Sequence, residues 1–255
     1  MTLSVGHVVF FLLIFSRMAG TLLVSPFFAN KTIFSMVKVS LIFWISLLIM
    51  FQIAVPVKLP TGEMAIMLAL LLEFLFGYMI GFITSLIVTS VEFAGTLMDT
   101  QAGLSVAAVL DPGSGQNAAL LERLLQQIVI IIFLLVDGHH MILSVLRTSF
   151  DLFPVGEIVD FSKGFYYLLQ FFNDIFILAL RLAAPIMLVV FMIDFGFGLL
   201  NRVAEQINVF QLGFQVKPII SLLVLLLVIP GLVYVIVPVT NVFIGYVFET
   251  FAEMR

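Results

Sequence analysis

No cysteine occurs anywhere in the chain, which excludes disulfides, thiolate metal sites and cysteine nucleophiles. Charged side chains make up only 10% of the residues and the formal net charge is -4. With no basic stripe along any segment, nucleic acid is not a partner. Histidine is equally scarce. His7 stands alone, while His139 and His140 are neighbours whose side chains leave a helix about 100° apart and so point away from a shared ion. There is no HExxH spacing, and neither a metal nor any other cofactor is expected. Three histidines without a cysteine also leave little from which to build an intramembrane hydrolase. The first apolar run has no basic stretch ahead of it and is longer than a signal-peptide core, so no cleaved leader is expected.

What is present is apolar. Hydrophobic residues reach 63%, with 28 phenylalanines, far above the roughly 45–50% of soluble domains. This composition implies an integral membrane protein, and its long apolar runs read as helices of an all-α fold. The first run, Val5 to Phe28, is long enough to cross roughly 30 Å of hydrocarbon. Arg17 lies in its middle, where a charge costs at least about 2.5–3.5 kcal/mol unless a partner meets it. The second run, Met36 to Val55, holds the only tryptophan, Trp44. The third, Met64 to Val91, contains Glu73 and closes at Glu92. Gly77, Gly81 and Ser85 follow one another at four-residue intervals, so one face is open to the close approach of another helix.

Leu120 to Val136 forms a fourth run whose start carries Glu122, Arg123, Gln126 and Gln127, too polar for lipid. Asp137 then reads as the side-chain cap of a helix over Met141 to Phe153. The fifth run, Phe165 to Leu200, is too long for one span and is expected to be interrupted, with Pro185 bending it. Asp174 and Arg181 are seven apart and share a face, and Asp194 adds a third ionisable group. A polar connector, Asn201 to Lys217, precedes a sixth run from Pro218 to Val239. The tail, Thr240 to Arg255, reads as a separate short amphipathic helix. Basic residues are spread over successive connectors without an alternation that sets orientation.

Between the third and fourth runs lies the stretch Gly95 to Arg123. Its first half keeps Thr96, Asp99, Gln101 and Ser105 among small residues, a mixture better suited to protein or water than to lipid. Its second half, Asp111, Pro112, Gly113, Ser114 and Gly115, breaks helix. Val106, Ala107, Ala108, Val109 and Leu110 form an apolar finger between Gly103 on one side and Gly113 and Gly115 on the other. The stretch reads either as a movable loop enclosed by protein or as a plain connector that sets the angle between two helices.

The run A-G-x-x-x-D-x-Q-x-G-L-S over Ala94 to Ser105, then Asp111-Pro112, then D-G-H-H over Asp137 to His140, resembles the FliR family of flagellar type III protein export gate subunits. Ser149-Phe150 with the following Pro154, and N-V-F over Asn208 to Phe210 followed by G-F and Lys217, continue the resemblance in order along nearly the whole chain. Glu205-Gln206 departs from it, because the family usually has proline before that glutamine. Asp99-Thr100-Gln101 leans towards the related injectisome subunit, whereas Ala102 and D-G-H-H favour the flagellar branch. The segment Ala179 to Leu227, with A-L-R-L-A-A-P, E-Q-I-N and F-Q-V-K-P-I-I, is itself similar to the small gate subunit FliQ.

The resemblance implies a non-enzymatic gate subunit of kinked helical hairpins in the bacterial inner membrane, within the flagellar basal body. It implies a FliP-like part over 1–163 joined to a FliQ-like hairpin and C-terminal helix over 164–255. The partners it implies are FliP-like and FliQ-like chains, other membrane subunits of the export apparatus, membrane lipid, and unfolded exported proteins passing through a shared pore. It places a plug in about 105–117, so that Gly103, Ser105 to Pro112, Gly113 and Gly115 become the gating residues. Arg17, Glu73, Asp174, Arg181, Asp194 and Lys217 become buried or inter-subunit polar groups. The alternatives are an injectisome export-gate subunit and, from broken helices and midplane charges, a secondary transporter.

Overall fold

In the computed structural model of the chain, residues 5–29, 33–53, 59–105, 119–156, 161–204, 206 and 208–254 are described. The described secondary structure is helical: α1 Val5–Val24, α2 Pro26–Ala29, α3 Ser35–Gln52, α4 Glu63–Gln101, α5 Leu120–Leu135, α6 Gly138–Leu152, α7 Phe161–Val203 and α8 Val209–Met254. Five of these, α1, α3, α4, α7 and α8, are long and apolar enough to cross a membrane.

Several boundaries depart from the expectation, each for a local reason. The first run is broken at Ser25, because Pro26 has no N–H and disfavours helix in the residue before it. The third run does not end at Glu92 but continues as α4 through Gly95 and Asp99 to Gln101, 39 residues in all. No proline interrupts it, its Ser and Thr hydroxyls donate to carbonyls one turn back, and Glu92 and Asp99 accept from α5. Asp137 supplies no side-chain cap. It adopts a left-handed conformation, φ 57°, and α6 starts at Gly138. The fifth run is not interrupted, since α7 passes through Pro185 without ending. The start of the connector belongs to α7, which ends at Val203, whereas its second half, the sixth run and the tail are one helix, Val209–Met254, holding Pro218, Pro230 and Pro238. Each internal proline removes one backbone hydrogen bond, but an apolar setting offers the remaining N–H and C=O groups no better partner than the helix itself.

At about 1.5 Å per residue, α4, α7 and α8 would extend for about 58, 64 and 69 Å, roughly twice the hydrocarbon thickness. Tilt alone does not absorb such an excess.

The chain divides into two compact units, one of Met1–Leu86, Asp137–Phe172 and Thr240–Arg255, the other of Ile87–Val136 and Asn173–Val239. In the first, α1 buries Phe10, Leu13, Ile14, Met18 and Leu22, a stripe at helical spacing, and the early part of α4 buries Phe76, Ile80 and Ile83. The glycine row of α4 meets α1. A Cβ at Gly77 would lie 2.0 Å from the Arg17 carbonyl oxygen, and one at Gly81 would lie 2.4 Å from that of Thr21. Thr21 Oγ1 lies 3.0 Å from the Gly77 carbonyl oxygen across this contact. By contrast α3, which packs on α1, buries only Ile42 and Ser46. Its Met36, Trp44 and Phe51 are exposed, a surface suited to lipid.

In the second unit α5 buries Leu121, Leu125, Val129 and Ile132 on one stripe. The matching stripe of α7 is Ile175, Leu178, Ala179, Leu182, Ala183, Ile186 and Val190. Within α8, Leu225, Leu232 and Ile236 are buried, while Leu223, Leu226, Leu227 and Tyr234 are exposed.

Candidate functional site: buried polar groups and the α4–α5 stem

Arg17 is 1% exposed and Glu73 3%. Arg17 Nε donates to Glu73 Oε2 at 2.6 Å. The other guanidinium nitrogens turn to the C-terminal end of α6: Nη1 donates to the Ser149 carbonyl at 3.0 Å and Nη2 to the Phe153 carbonyl at 3.1 Å. The Ser149 carbonyl also accepts from the Phe153 N–H at 3.0 Å, and both carbonyls lie at the end of α6, so the cation meets the partial negative charge that a helix end carries. The faces of Phe76 and Phe150 cover the guanidinium, 4.8 and 4.3 Å from Cζ to the ring centres. Glu73 Oε1 accepts from the Gly156 N–H at 2.8 Å. Gly156 has φ 88°, a conformation open to glycine and costly for other residues. One ion pair therefore ties α1, α4, the end of α6 and the turn after it. The burial of Arg17 and Glu73 was foreseeable from hydropathy, but their pairing, 56 residues apart, was not. Ser149 and Phe150, noticed in the sequence only as a motif, are an acceptor and a ring wall of this site.

The second polar set joins the last turns of α4 to the first turns of α5. Gly95 lets the backbones meet: a Cβ there would lie 2.4 Å from the Glu122 Cα. Glu92 Oε1 accepts from Gln126 Nε2 at 2.5 Å, and Thr96 Oγ1 donates to Glu122 Oε2 at 2.9 Å. Asp99, 3% exposed, places Oδ1 and Oδ2 each 3.0 Å from the backbone nitrogens of Leu121 and Glu122. Arg123 and Gln127 point away and are exposed. The enclosure expected for the polar start of this helix is thus provided for Glu122 and Gln126 by α4. Asp99 and Glu122 had not been singled out as site residues, and the available signal was a carboxylate four residues before a glycine break.

Gly103 follows α4 with φ 78°, ending the helix as a left-handed residue does, and the chain is helical again at Leu104 and Ser105. Val106, Ala107, Ala108, Val109, Leu110, Asp111, Pro112, Gly113 and Gly115 lie outside the described residues. Beside Gly103 is a groove of about 330 Å³ whose lining includes Phe197, Phe210, Phe214, Asp194 and Lys217. Lys217 Nζ is 2.5 Å from Asp194 Oδ1, with side chains 22% and 47% exposed. Spacing had not paired these two residues. Asp174 and Arg181 are both exposed on this chain.

The turn before α6 also differs from expectation. The rings of His139 and His140 are 4.2 Å apart at 37°, and Asp137 Oδ1 lies 3.4 Å from His140 Nδ1. Potential ligand atoms of all three residues fall within 4.8 Å of one another. Helical spacing alone had placed the two rings apart, but the left-handed Asp137 and the tilt of the rings bring the groups together. Asp137 and His140 are exposed, and exposed groupings of this kind are common without an ion.

Overlong apolar helices, a buried cation held by three other segments and a polar-zipped helix pair define an all-helical membrane protein without a cluster resembling a hydrolase centre among the described residues. The family follows from sequence: the description "Bacterial export proteins, family 1" matches residues 8–242, and the chain belongs to that family. It is 29% identical over 236 residues to the flagellar biosynthetic protein FliR of Bacillus subtilis, covering 91% of this chain and 90% of the relative. It is 33% identical over 165 residues to FliR of Pectobacterium carotovorum, covering 65% and 62%. To the secretion system apparatus protein SsaT of Salmonella typhimurium it is 30% identical over 142 residues, 55% of each chain. The FliR resemblance carried by the motifs is thereby shown, and the chain is a subunit of the type III export apparatus.

Proposed function

We propose that this chain is a non-enzymatic subunit of the flagellar type III export gate in the bacterial inner membrane. It lines, with FliP-like and FliQ-like chains, the pore through which unfolded proteins leave. The observation that carries this reading is the near full-length similarity to a flagellar FliR in a chain whose three longest helices exceed a bilayer span. Helices of that length need protein as well as lipid around them. Exposed Asp174 and Arg181 on α7, and the half-exposed Asp194–Lys217 pair, then face neighbouring subunits. The FliP-like part is 1–163 and the FliQ-like part 164–255.

The segment of about 105–117 acts as the plug. It follows the left-handed Gly103, its apolar residues suit a constriction that excludes water, and Asp111-Pro112 limits helix propagation into it. Shortening it while keeping Gly103 and Gly115 tests the assignment. An assembled complex should then admit ions or small solutes into cells, and a shortened variant that assembles and stays tight refutes the plug.

An injectisome role is the second reading, favoured by the similarity to SsaT. Deleting the gene separates the two. Loss of motility with secretion intact supports the flagellar role, and the reverse supports the injectisome.

A further inference from the structure

We propose that Asp137, His139 and His140 form a binding site for a divalent transition-metal ion of the zinc class. Helical spacing alone sends the two imidazoles apart, and the turn ahead of α6 removes that obstacle. Asp137 is the only residue besides glycine with a positive φ among the described residues, 57°, and regular helix starts only at Gly138. The rings of His139 and His140 then lie 4.2 Å apart at 37°. One potential ligand atom from each of the three residues lies within 4.8 Å of the other two. Asp137 Oδ1 and His140 Nδ1 are 3.4 Å apart, longer than the roughly 2.7–3.2 Å of an N–H···O hydrogen bond. The same distance fits two donors on one tetrahedral ion, which stand about 3.4 Å apart when each bond is about 2.0–2.1 Å. Rotation about the histidine side-chain torsions closes the remaining gap.

The polar groups of this turn also lack the work that their positions would ordinarily give them. Asp137 stands at the N-cap of α6, where a carboxylate accepts from the second or third N–H of the helix, yet it makes no such bond. Its backbone carbonyl, not its side chain, accepts from the N–H groups of His140 and Met141, at 2.9 and 3.1 Å. His139 Nδ1 is shut off from solvent and has no hydrogen-bond partner, a costly state for a ring nitrogen. The side chains of Asp137 and His140 are 72% and 70% exposed, so an ion reaches them and keeps water on its remaining positions. Two imidazoles and a carboxylate, with no thiolate in the chain, suit Zn2+, Ni2+ or Cu2+ rather than Mg2+ or Ca2+, which take oxygen donors. The carboxylate offsets the positive N-terminal end of α6, which by itself disfavours a cation. The bound ion clips Asp137 to the first turn of α6 and holds the left-handed turn in place.

The test uses the membrane complex that co-purifies with the chain through an affinity tag free of histidine, and it does not depend on the gate reading. The complex is stripped with a chelator, dialysed against a range of Zn2+ concentrations and analysed by atomic emission. The parent should bind one more zinc per copy of this chain than His140→Ala does. Asp137→Asn should weaken binding at least about tenfold, no less than the loss of a partner behind a metal ligand costs. His7→Ala, which removes the chain's remaining histidine, should leave binding unchanged. Co2+ in place of zinc should give visible absorption bands in the parent that His140→Ala lacks. Both substituted side chains in the site are exposed, so the variants should recover the same co-purifying subunits as the parent. Equal zinc content and affinity in the parent and His140→Ala overturn the proposal. A loss confined to His140→Ala, with Asp137→Asn at parental affinity, also overturns it, because a lone surface histidine then holds the zinc. A parent complex that takes up no zinc overturns it whatever the variants do.

Discussion

In one unit Glu73 meets a guanidinium, while in the other Glu92, Asp99 and Glu122 meet an amide side chain, two backbone N–H groups and a hydroxyl. Both arrangements join helices across a glycine contact, Gly77 against α1 and Gly95 against α5. They differ in how they fail. A buried ion pair that loses one partner leaves an uncompensated charge in a low-dielectric interior, so it behaves as a single, all-or-none lock. A ladder of carboxylates with neutral donors comes apart one rung at a time, each worth about 0.5–2 kcal/mol. The lock sits where helices must stay together, and the ladder sits at the base of the segment proposed to move.

Arg17 provides the hardest test of this contrast. Arg17→Met should destabilise the chain by about 3–5 kcal/mol and deplete it from purified complexes, measured by thermal unfolding in detergent and by recovery with tagged partners. Adding Glu73→Leu should restore part of the loss, because the stranded carboxylate is gone while the Ser149 and Phe153 carbonyls still lack the guanidinium at the end of α6. A double variant no better than Arg17→Met alone would show that the guanidinium acts as the cap of α6 rather than as one half of an ion pair.

A smaller loss is expected where backbones touch. Gly77→Ala places a methyl group against the carbonyl of Arg17 and should cost about 1–3 kcal/mol, since α1 must move away. Gly196→Ala, with nothing within 4 Å of the added carbon, should be neutral on this chain or stabilise α7 by up to about 1 kcal/mol. Equal unfolding temperatures for the two variants would mean that the α1–α4 approach is looser than the distances indicate.

The Asp194–Lys217 pair should show the smallest effect, about 1 kcal/mol or less, because both side chains are partly exposed. Lys217→Glu should nevertheless weaken gate assembly more than Lys217→Arg does, since it sets two carboxylates side by side. The charge-swapped variant, Lys217→Glu with Asp194→Lys, should recover assembly if the intrachain pair is what matters. Failure of the swap, with Lys217→Arg still active, would point to a carboxylate on a neighbouring subunit as the partner that counts.

Composition and the spacing of apolar runs determined the class of this protein, its helical character and the close-packing face of α4, because these depend on transfer energies and on residues four apart in one helix. Motifs in register determined the family. The tertiary structure decided which buried groups meet. Arg17 needs an acceptor set drawn from positions 73, 149 and 153, and Asp99 completes a helix start beyond a loop. No local pattern encodes such distances. The long helices are a further case: Pro185, Pro218, Pro230 and Pro238 are strong breakers by propensity, yet α7 and α8 continue through them. Propensity is calibrated against water as the competing partner for the backbone, and within an apolar helix packed on others that competitor is missing.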